Sequence, residues 1–154
     1  MDLGDLITDN GVIPSLQATT KKQCLQELAN RAAGLTGIPQ RSIFETLLQR
    51  ERLGSTGLGR GIAVPHVKFK DLDRIVCIFA RLNAPIDFEA PDNEPVDLIF
   101  LLLAPEHASG DHLKALARIS RLLREPNISS CLRSLSDTQK ILHILQQPAA
   151  PRAA

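Results

Sequence analysis

The residue types best suited to chemistry lie in one segment, from Glu51 to His66, with the sequence ERLGSTGLGRGIAVPH. Residues 54–61 hold four glycines, so we predict a shaped loop without regular secondary structure, in which backbone N–H groups converge. A short apolar strand follows and ends at Pro65 and His66, and the proline keeps Val64 extended. This pattern suits phosphoryl transfer, because a neutral imidazole must attack phosphorus while nearby donors hold the phosphoryl oxygens.

The residues alone are also compatible with different kinds of site. A lone histidine after a proline is more often an exposed turn residue than a nucleophile. The glycine spacing partly matches dinucleotide-binding and P-loop patterns, but it follows a predicted helix and lacks a closing Lys-Ser or Lys-Thr pair. Metal-dependent hydrolysis is a further hypothesis, with the candidate ligands His66, His107, His112 and Asp111. The separation of His107 and His112 by five residues does not favour two ligands on one helix face.

Other polar residues have weaker candidate roles. The hydroxyls of Ser55 and Thr56 either donate to a phosphate or shape the loop. Arg60 either attracts an acidic partner or is simply solvated. We expect His107 and His143 to be exposed to solvent.

The composition excludes several classes of function. The 154 residues suit one domain, and 18 basic against 17 acidic residues leave a charge of +1, which gives no broad attraction for nucleic acid or anionic lipid. Aromatic residues make up 3%, with no Trp or Tyr, so base stacking and sugar binding are not favoured. The three cysteines, Cys24, Cys77 and Cys131, are predicted to be reduced and packed as small apolar groups.

No targeting or membrane segment is apparent. The most apolar stretch, LIFLLLA at 98–104, is much shorter than the about 20 residues that cross a bilayer. The first ten residues, MDLGDLITDN, carry no basic region before an apolar segment, so we expect a cytoplasmic protein. Residues 148–154 lack any periodic apolar pattern and are predicted to be a disordered tail.

The strands that must position His66 are predicted over 62–64, 74–82 and 96–103, which are rich in β-branched and other apolar residues. The last of them is apolar almost without interruption, so both of its faces should be buried, and this requires helices on each side of the sheet. The predicted fold is therefore a single α/β domain with a central mixed sheet flanked by helices on both faces.

Capping patterns and apolar periodicity place the helices. Thr20 with Gln23 predicts a capping box and a helix that ends at Gly34, and a second helix runs from about Pro39 to Arg52. A third starts at Ser109 or Asp111, where Asp111 is a candidate cap, and ends before Pro126. Its predicted buried stripe is Leu113, Leu116, Ala117, Ser120 and Leu123. A short helix is predicted over 128–135, and Ser136 with Gln139 predicts the cap of the last helix.

The segment around His66 also resembles a known family. The signature begins with an acidic or amide residue, which is Glu51 here. This residue, the pair Leu58-Gly59 and the run IAVPH at 62–66 are similar to the phosphorylation-site signature of the mannitol/fructose-type enzyme IIA domains of the bacterial phosphotransferase system. Together with DNEPVDLIFLLLAP at 92–105, the segment most resembles the nitrogen-related enzyme IIA, a regulatory branch. The resemblance runs from about Leu3 to Gln147 and implies one type-2 enzyme IIA domain over 1–147.

The resemblance assigns roles to three residues. It implies that His66 is phosphorylated at Nε2, that Arg50 pairs with the phosphoryl group, and that His112, in the first turn of the third helix, is a second histidine close to the first. The positive end of the helix dipole would favour neutral imidazole at His112. Support for the phosphoryl charge is expected from the glycine loop, at Ser55, Thr56, Gly57 and Gly59. No cofactor and no metal are implied.

The resemblance also implies partners. The phosphoryl donor would be an HPr-like histidine phosphocarrier protein, and the two phosphorylation states would bind different targets, such as potassium-transport proteins or sensor kinases. A sugar-specific IIA component of a mannitol- or fructose-type permease is the alternative. A third hypothesis is a binding module that has lost transfer chemistry, because Val67 stands where the family usually has a small residue after the histidine.

Overall fold

A computed structural model describes residues 3–107 and 110–147. Within these ranges a mixed sheet of six strands has the order β1-β5-β6-β3-β2, and β4 also pairs with β6. The strands are β1 (Val12–Leu16), β2 (Gly57–Gly59), β3 (Ile62–Ala63), β4 (His66–Phe69), β5 (Val76–Ile86) and β6 (Val96–Pro105). The helices are α1 (Lys21–Thr36), α2 (Gln40–Arg52), α3 (Asp111–Arg124), α4 (Pro126–Ser134) and α5 (Thr138–Gln146). Two short 3₁₀ helices, Leu3–Asp5 and Asp9–Gly11, precede β1.

The sheet is covered on both faces, as the apolar run of β6 predicts. Successive side chains of a strand point to opposite faces. The side chains of Leu98, Phe100 and Leu102 pack in the apolar cluster that contains α3, α4 and α5. Those of Ile99, Leu101 and Leu103 pack in the cluster that contains α1 and α2. The predicted α/β fold, with a mixed sheet between two helical layers, is confirmed.

The predicted cap of α1 is confirmed, but the predicted end of the helix is wrong. The side chain of Thr20 accepts a hydrogen bond from the Gln23 N–H at 3.1 Å, and the Gln23 side chain accepts one from the Thr19 N–H at 2.9 Å. The helix continues through Gly34 and ends where Gly37 adopts a φ of 79°. This left-handed conformation, which glycine adopts without strain, terminates the helix.

The later helices also need corrections. Gly110 occupies the N-cap position of α3, so Asp111 is its first helical residue and not its cap. Ser109 lies outside the described residues. At α5 the cap is Asp137, whose carboxylate accepts from the Lys140 N–H at 3.1 Å, and not Ser136.

The predicted buried stripe of α3 is wrong at two positions. The buried residues of the helix are Ala115, Ile119 and Leu123, whereas Leu113 is 61% exposed and Ala117 is exposed. The apolar residues occupy a wider arc of this helix than the sheet covers. Periodicity alone therefore does not identify which of them face the core.

Strand β1 is absent from the prediction. This strand contains Pro14, which cannot donate to a sheet ladder, and it lies at the edge of the sheet, parallel to β5. Edge strands tolerate proline because one side of the strand has no neighbour to bond.

The prediction for the cysteines holds for Cys24 and Cys77, which are buried, but Cys131 is exposed. Residues 148–154, predicted to be a tail, lie outside the described ranges.

Candidate functional site

His66 is positioned by an interrupted strand that runs along β6. Ile62 pairs with Leu98 and His66 pairs with Leu102, both in parallel and with the same offset, so β3 and β4 follow one register along the same neighbour. The interruption falls at Pro65, which has no N–H to donate, although its carbonyl accepts from the Leu102 N–H at 2.9 Å. The predicted strand thus ends earlier than expected, and His66 begins a strand of its own.

The glycine segment is more regular than the sequence predicts. Gly57–Gly59 forms β2, antiparallel to β3, and the hairpin turns at Arg60 and Gly61, which have φ values of 58° and 80°. A Cβ atom at Gly57 would lie 2.9 Å from the Cβ of Ala90, so the close approach of the two backbones requires glycine there. The prediction of a loop without regular structure is therefore wrong for this segment.

The imidazole of His66 is half-buried, and a backbone carbonyl determines its orientation. Its Nδ1 lies 2.9 Å from the carbonyl oxygen of Val64. A carbonyl only accepts hydrogen bonds, so Nδ1 carries the proton in this contact. In the neutral ring this leaves the lone pair on Nε2, the nitrogen at the other side of the ring.

Arg50 and His112 lie with His66 around one open surface pocket of about 540 Å³. They come from three different elements, the last turn of α2, the first turn of α3 and the start of β4. The described residues that line the pocket are Thr46, Gln49, Arg50, Leu53, His66, Val67, Lys68, Leu102, Ala104 and His112. The structure therefore brings together the three residues to which the resemblance assigns the chemistry.

Arg50 is half-buried, and the glycine segment orients its guanidinium. Its Nη1 donates to the carbonyl of Gly54 at 3.0 Å. This bond uses one of the five N–H donors of the guanidinium. The tether places a permanent positive charge at the pocket that His66 lines, where a phosphoryl dianion on the histidine would find a partner.

The structure does not bring the four expected phosphate-supporting residues to this pocket. The Ser55 hydroxyl donates to the carbonyl of Phe88 at 2.9 Å and accepts from the Gly57 N–H at 3.1 Å. The hydroxyl of Thr56 donates to the Glu51 carboxylate at 2.6 Å. None of these residues, nor Gly59, is among the described residues that line the pocket. Their hydrogen bonds hold the hairpin in place.

Val67 does not stand exposed beside the histidine. Its side chain is 9% exposed and packs in the apolar cluster of α1 and α2, although the residue also contributes to the pocket wall. Most of the branched side chain is therefore accommodated by the core.

Helix α2 and the residue that follows it form part of the pocket wall, and of these residues only Arg50 is predicted from the sequence. Thr46, Gln49, Arg50 and Leu53 are spaced by three or four residues, which is the spacing of one helix face. That spacing, counted from Arg50, is the signal that identifies them. Leu53 is 85% exposed, and Leu113, which follows His112, is 61% exposed, so large apolar side chains stand close to the site.

The remaining candidates lie away from the pocket lining. His107 and His143 are exposed, as predicted.

At Arg60 the backbone N–H donates to the carboxylate of Asp92 at 2.9 Å. This bond and one from the Glu94 backbone hold the pKa of Asp92 below its ordinary value. Among residues 3–107 and 110–147, no three His, Cys, Asp or Glu side chains are grouped in a way that could hold a metal ion.

The fold and the site define a class of phosphotransferase protein. The family model "Phosphoenolpyruvate-dependent sugar phosphotransferase system, EIIA 2" matches residues 5–147, and the chain belongs to this family. Within it, the chain is 54% identical over 153 residues to the nitrogen regulatory protein of Bradyrhizobium diazoefficiens, covering 99% of this chain and 100% of that protein. It is 36% identical over 144 residues to the nitrogen regulatory protein of Pseudomonas aeruginosa, covering 93% of this chain and 94% of the other.

A solved structure agrees with this similarity. The crystal structure of nitrogen regulatory protein IIA-Ntr from Neisseria meningitidis matches with a TM-score of 0.88 and 32% identity, over 93% of this chain and 98% of that one. In the part of the chain that the structure describes, every helix is too short or too polar to span a membrane.

Proposed function

We propose that this chain is a phosphoryl carrier of a nitrogen-related phosphotransferase system, and that it accepts the phosphoryl group on Nε2 of His66 from an HPr-like histidine phosphocarrier. The observation that carries the proposal is the hydrogen bond from Nδ1 of His66 to the Val64 carbonyl, at a pocket shared with Arg50 and His112. The bond leaves the lone pair on Nε2, and the pocket supplies a cation for the incoming group.

The transfer needs no cofactor, because one N–P bond forms as another breaks. The lone pair of His66 Nε2 forms a bond to phosphorus as the N–P bond of the donor's phosphohistidine breaks, and the donor's imidazole leaves as a neutral ring. The ring of His66 becomes cationic, with its proton still on Nδ1. The hydrogen bond to the Val64 carbonyl is then charge-assisted and strengthens during the transfer.

Arg50 and His112 would stabilise the transferred group. A guanidinium offers a planar fork to phosphoryl oxygens, and each hydrogen bond to a charged group contributes about 1.5 to 3 kcal/mol. His112, the second residue of α3, lines the same pocket and would hold another oxygen.

The output of the transfer would be regulation. A phosphoryl group adds about −1.5 to −2 charges at His66, which takes the formal net charge of the chain from +1 to slightly negative. Similarity to nitrogen regulatory proteins supports a regulatory role, and we expect targets that distinguish the two phosphorylation states. Potassium-transport proteins and sensor kinases are the kinds of target that we propose.

Phosphorylation from phosphoenolpyruvate tests the proposal. The chain is incubated with the general phosphotransferase enzyme, the histidine phosphocarrier and phosphoenolpyruvate, and its mass is measured. We expect the gain of one acid-labile phosphoryl group in the wild type and none in His66→Ala. If the folded wild type gains nothing, the chain is a binding module without transfer chemistry and the proposal fails.

A comparison of captured proteins tests the regulatory part. Wild type, His66→Ala and His66→Glu are used as baits, and we expect the charged variant to recover a different set of targets. Identical recovery by all three would contradict a charge switch. Rapid transfer from the phosphorylated chain to a mannitol- or fructose-specific IIB protein would instead support the sugar-permease alternative.

A further inference from the structure

The carboxylate of Glu51 is buried behind the site, and the transfer step described above does not use it. Its side chain is 3% exposed. It accepts two hydrogen bonds from Thr56, one from the backbone N–H at 3.1 Å and one from the hydroxyl at 2.6 Å. The Nζ of Lys21 lies 3.0 Å from the same carboxylate. One acidic group therefore joins the end of α2, the start of α1 and the residue that precedes the β2–β3 hairpin.

Stability alone does not account for this ion pair. The side chain of Lys21 is 14% exposed, and its ammonium lies 4.6 Å from the ring centroid of Phe88. Removing both charges from water costs about as much free energy as their attraction returns, so apolar residues of similar size often serve a core equally well. Breaking a buried pair is costly, because it leaves a charge without its partner, so this pair disfavours other arrangements of the groups that it joins.

A short series of hydrogen bonds connects Glu51 with the ring of His66. Thr56 donates hydrogen bonds to Glu51 from its backbone N–H and its hydroxyl. The carbonyl of Thr56 accepts a hydrogen bond from the Val64 N–H at 3.0 Å. The carbonyl of Val64 in turn accepts the Nδ1–H of His66 at 2.9 Å. Both polar backbone groups of Val64 are therefore engaged, one toward Thr56 and one toward the reacting ring.

We propose that Glu51, with Lys21 as its counter-ion, is a positioning residue for phosphoryl transfer. It holds Thr56, and through Thr56 it holds the Val64 carbonyl where that carbonyl keeps the proton of His66 on Nδ1. Without this support the ring would populate the tautomer with the proton on Nε2, which has no lone pair for attack. The inference rests on the proposed role of His66 as acceptor and adds the group that sets its tautomer.

The substitution Glu51→Gln tests the proposal, with phosphoramidate as the donor. This small molecule needs no protein docking surface. Its P–N bond breaks and ammonia leaves as the Nε2–P bond forms, so the rate reports on the ring itself. We expect the rate constant to fall about tenfold to a hundredfold, by analogy with the loss of a hydrogen-bond partner that orients a metal-binding histidine. Nitrogen NMR of the His66 ring should show a larger fraction of the Nε2–H tautomer.

Glu45→Gln is the matched control. Glu45 lies on the same helix and also pairs with a cation, Arg41, but its side chain is 57% exposed. We expect this variant to keep both the rate and the tautomer ratio of the wild type. A fall in rate in Glu51→Gln with an unchanged tautomer ratio would overturn the proposal, and so would no change in either measurement.

Thr56→Val covers the case in which Glu51→Gln does not fold. It removes only the hydroxyl, keeps the backbone N–H and leaves both charges in place. We expect a smaller shift of the same two measurements, and no shift in a folded Thr56→Val would also overturn the proposal. If the wild-type ring takes no phosphoryl group from phosphoramidate or from the phosphocarrier, while Glu51→Gln still changes the tautomer ratio, the proposed function fails and only the control of the His66 tautomer by Glu51 stands.

Discussion

The carbonyl of Val64 accepts the Nδ1–H of His66 at 2.9 Å, across a proline that has no N–H of its own. The Val64 N–H bonds to the Thr56 carbonyl, on the side of the strand away from β6, and the Val64 carbonyl meets the ring two residues later. The backbone of Val64 is therefore bonded at both of its polar groups, and its carbonyl orients the ring of His66.

The first prediction concerns the phosphorylated nitrogen. We expect the phosphoryl group on Nε2 of His66, because Nδ1 carries the proton donated to Val64. Nitrogen and phosphorus NMR of the phosphorylated protein distinguish the two isomers. A phosphoryl group on Nδ1 would contradict the geometry of this hydrogen bond.

The second prediction concerns Arg50. Arg50→Ala should slow phosphorylation by phosphoramidate about tenfold to a hundredfold, since it removes a charge-assisted hydrogen bond worth about 1.5 to 3 kcal/mol. The loss of its bond to Gly54 should lower the free energy of unfolding by only about 1 kcal/mol. Arg41→Ala, on the same helix with a side chain that is 87% exposed, is the control and should leave the rate unchanged. Equal rates in the two variants would show that Arg50 does not contact the phosphoryl group.

The third prediction concerns the exposed leucines beside the pocket. Leu53 and Leu113 are 85% and 61% exposed, so replacing either with Asp should not reduce stability. We expect both leucines to contact the phosphocarrier, so the KM for the phosphorylated carrier should rise about tenfold in either variant. The rate with phosphoramidate should not change, because that donor needs no docking surface. A loss with both donors would point to damage at His66 itself.

The fourth prediction concerns Val67. Val67→Ala should lower the free energy of unfolding by about 1.5 to 3 kcal/mol, because most of the side chain is buried among α1 and α2. The phosphorylation rate should stay close to that of the wild type. Lys68→Ala, one residue later and exposed, is the control for stability. A large increase in the rate of Val67→Ala would mean that the valine crowds the histidine.

The fifth prediction concerns stability at high pH. Burial, together with the charge of Glu27, raises the pKa of the Cys24 thiol from 9.0 to about 12. The folded state therefore retains a proton that the unfolded state loses above pH 9.0, and the free energy of unfolding should fall as the pH rises from there. Each thiol of this kind contributes a slope of about 1.4 kcal/mol per pH unit.

Denaturant titrations between about pH 8 and pH 11 measure this slope. Cys24→Ala should reduce it by about one thiol's contribution. Cys131→Ala, at an exposed cysteine, is the control and should not change it. An unchanged slope in Cys24→Ala would refute the assignment.

Much of the fold can be predicted from local patterns. Thr20 marks the start of α1, and the unbroken apolar run of β6 requires helices on both faces of the sheet. The dipeptide Pro65-His66 places a histidine directly after a residue that interrupts a strand. These features depend on residues close together in the chain. A short segment is enough to determine the hydrogen bonding at a helix end, the burial of an apolar strand and the missing N–H of a proline.

Only the tertiary structure decided which side chains face the core and which residues join Arg50, His66 and His112, the three that the family resemblance had grouped, around the pocket. Arg50 and His112 are far apart in sequence, and the path of the chain over the sheet determines that they meet at His66. The same packing exposes Leu113, because the sheet covers one side of an apolar helix and leaves the other to solvent. Lys21 likewise pairs with Glu51 because the packing of α1 against α2 brings its ammonium to the carboxylate, and no local pattern encodes a distance between two helices that meet only on folding.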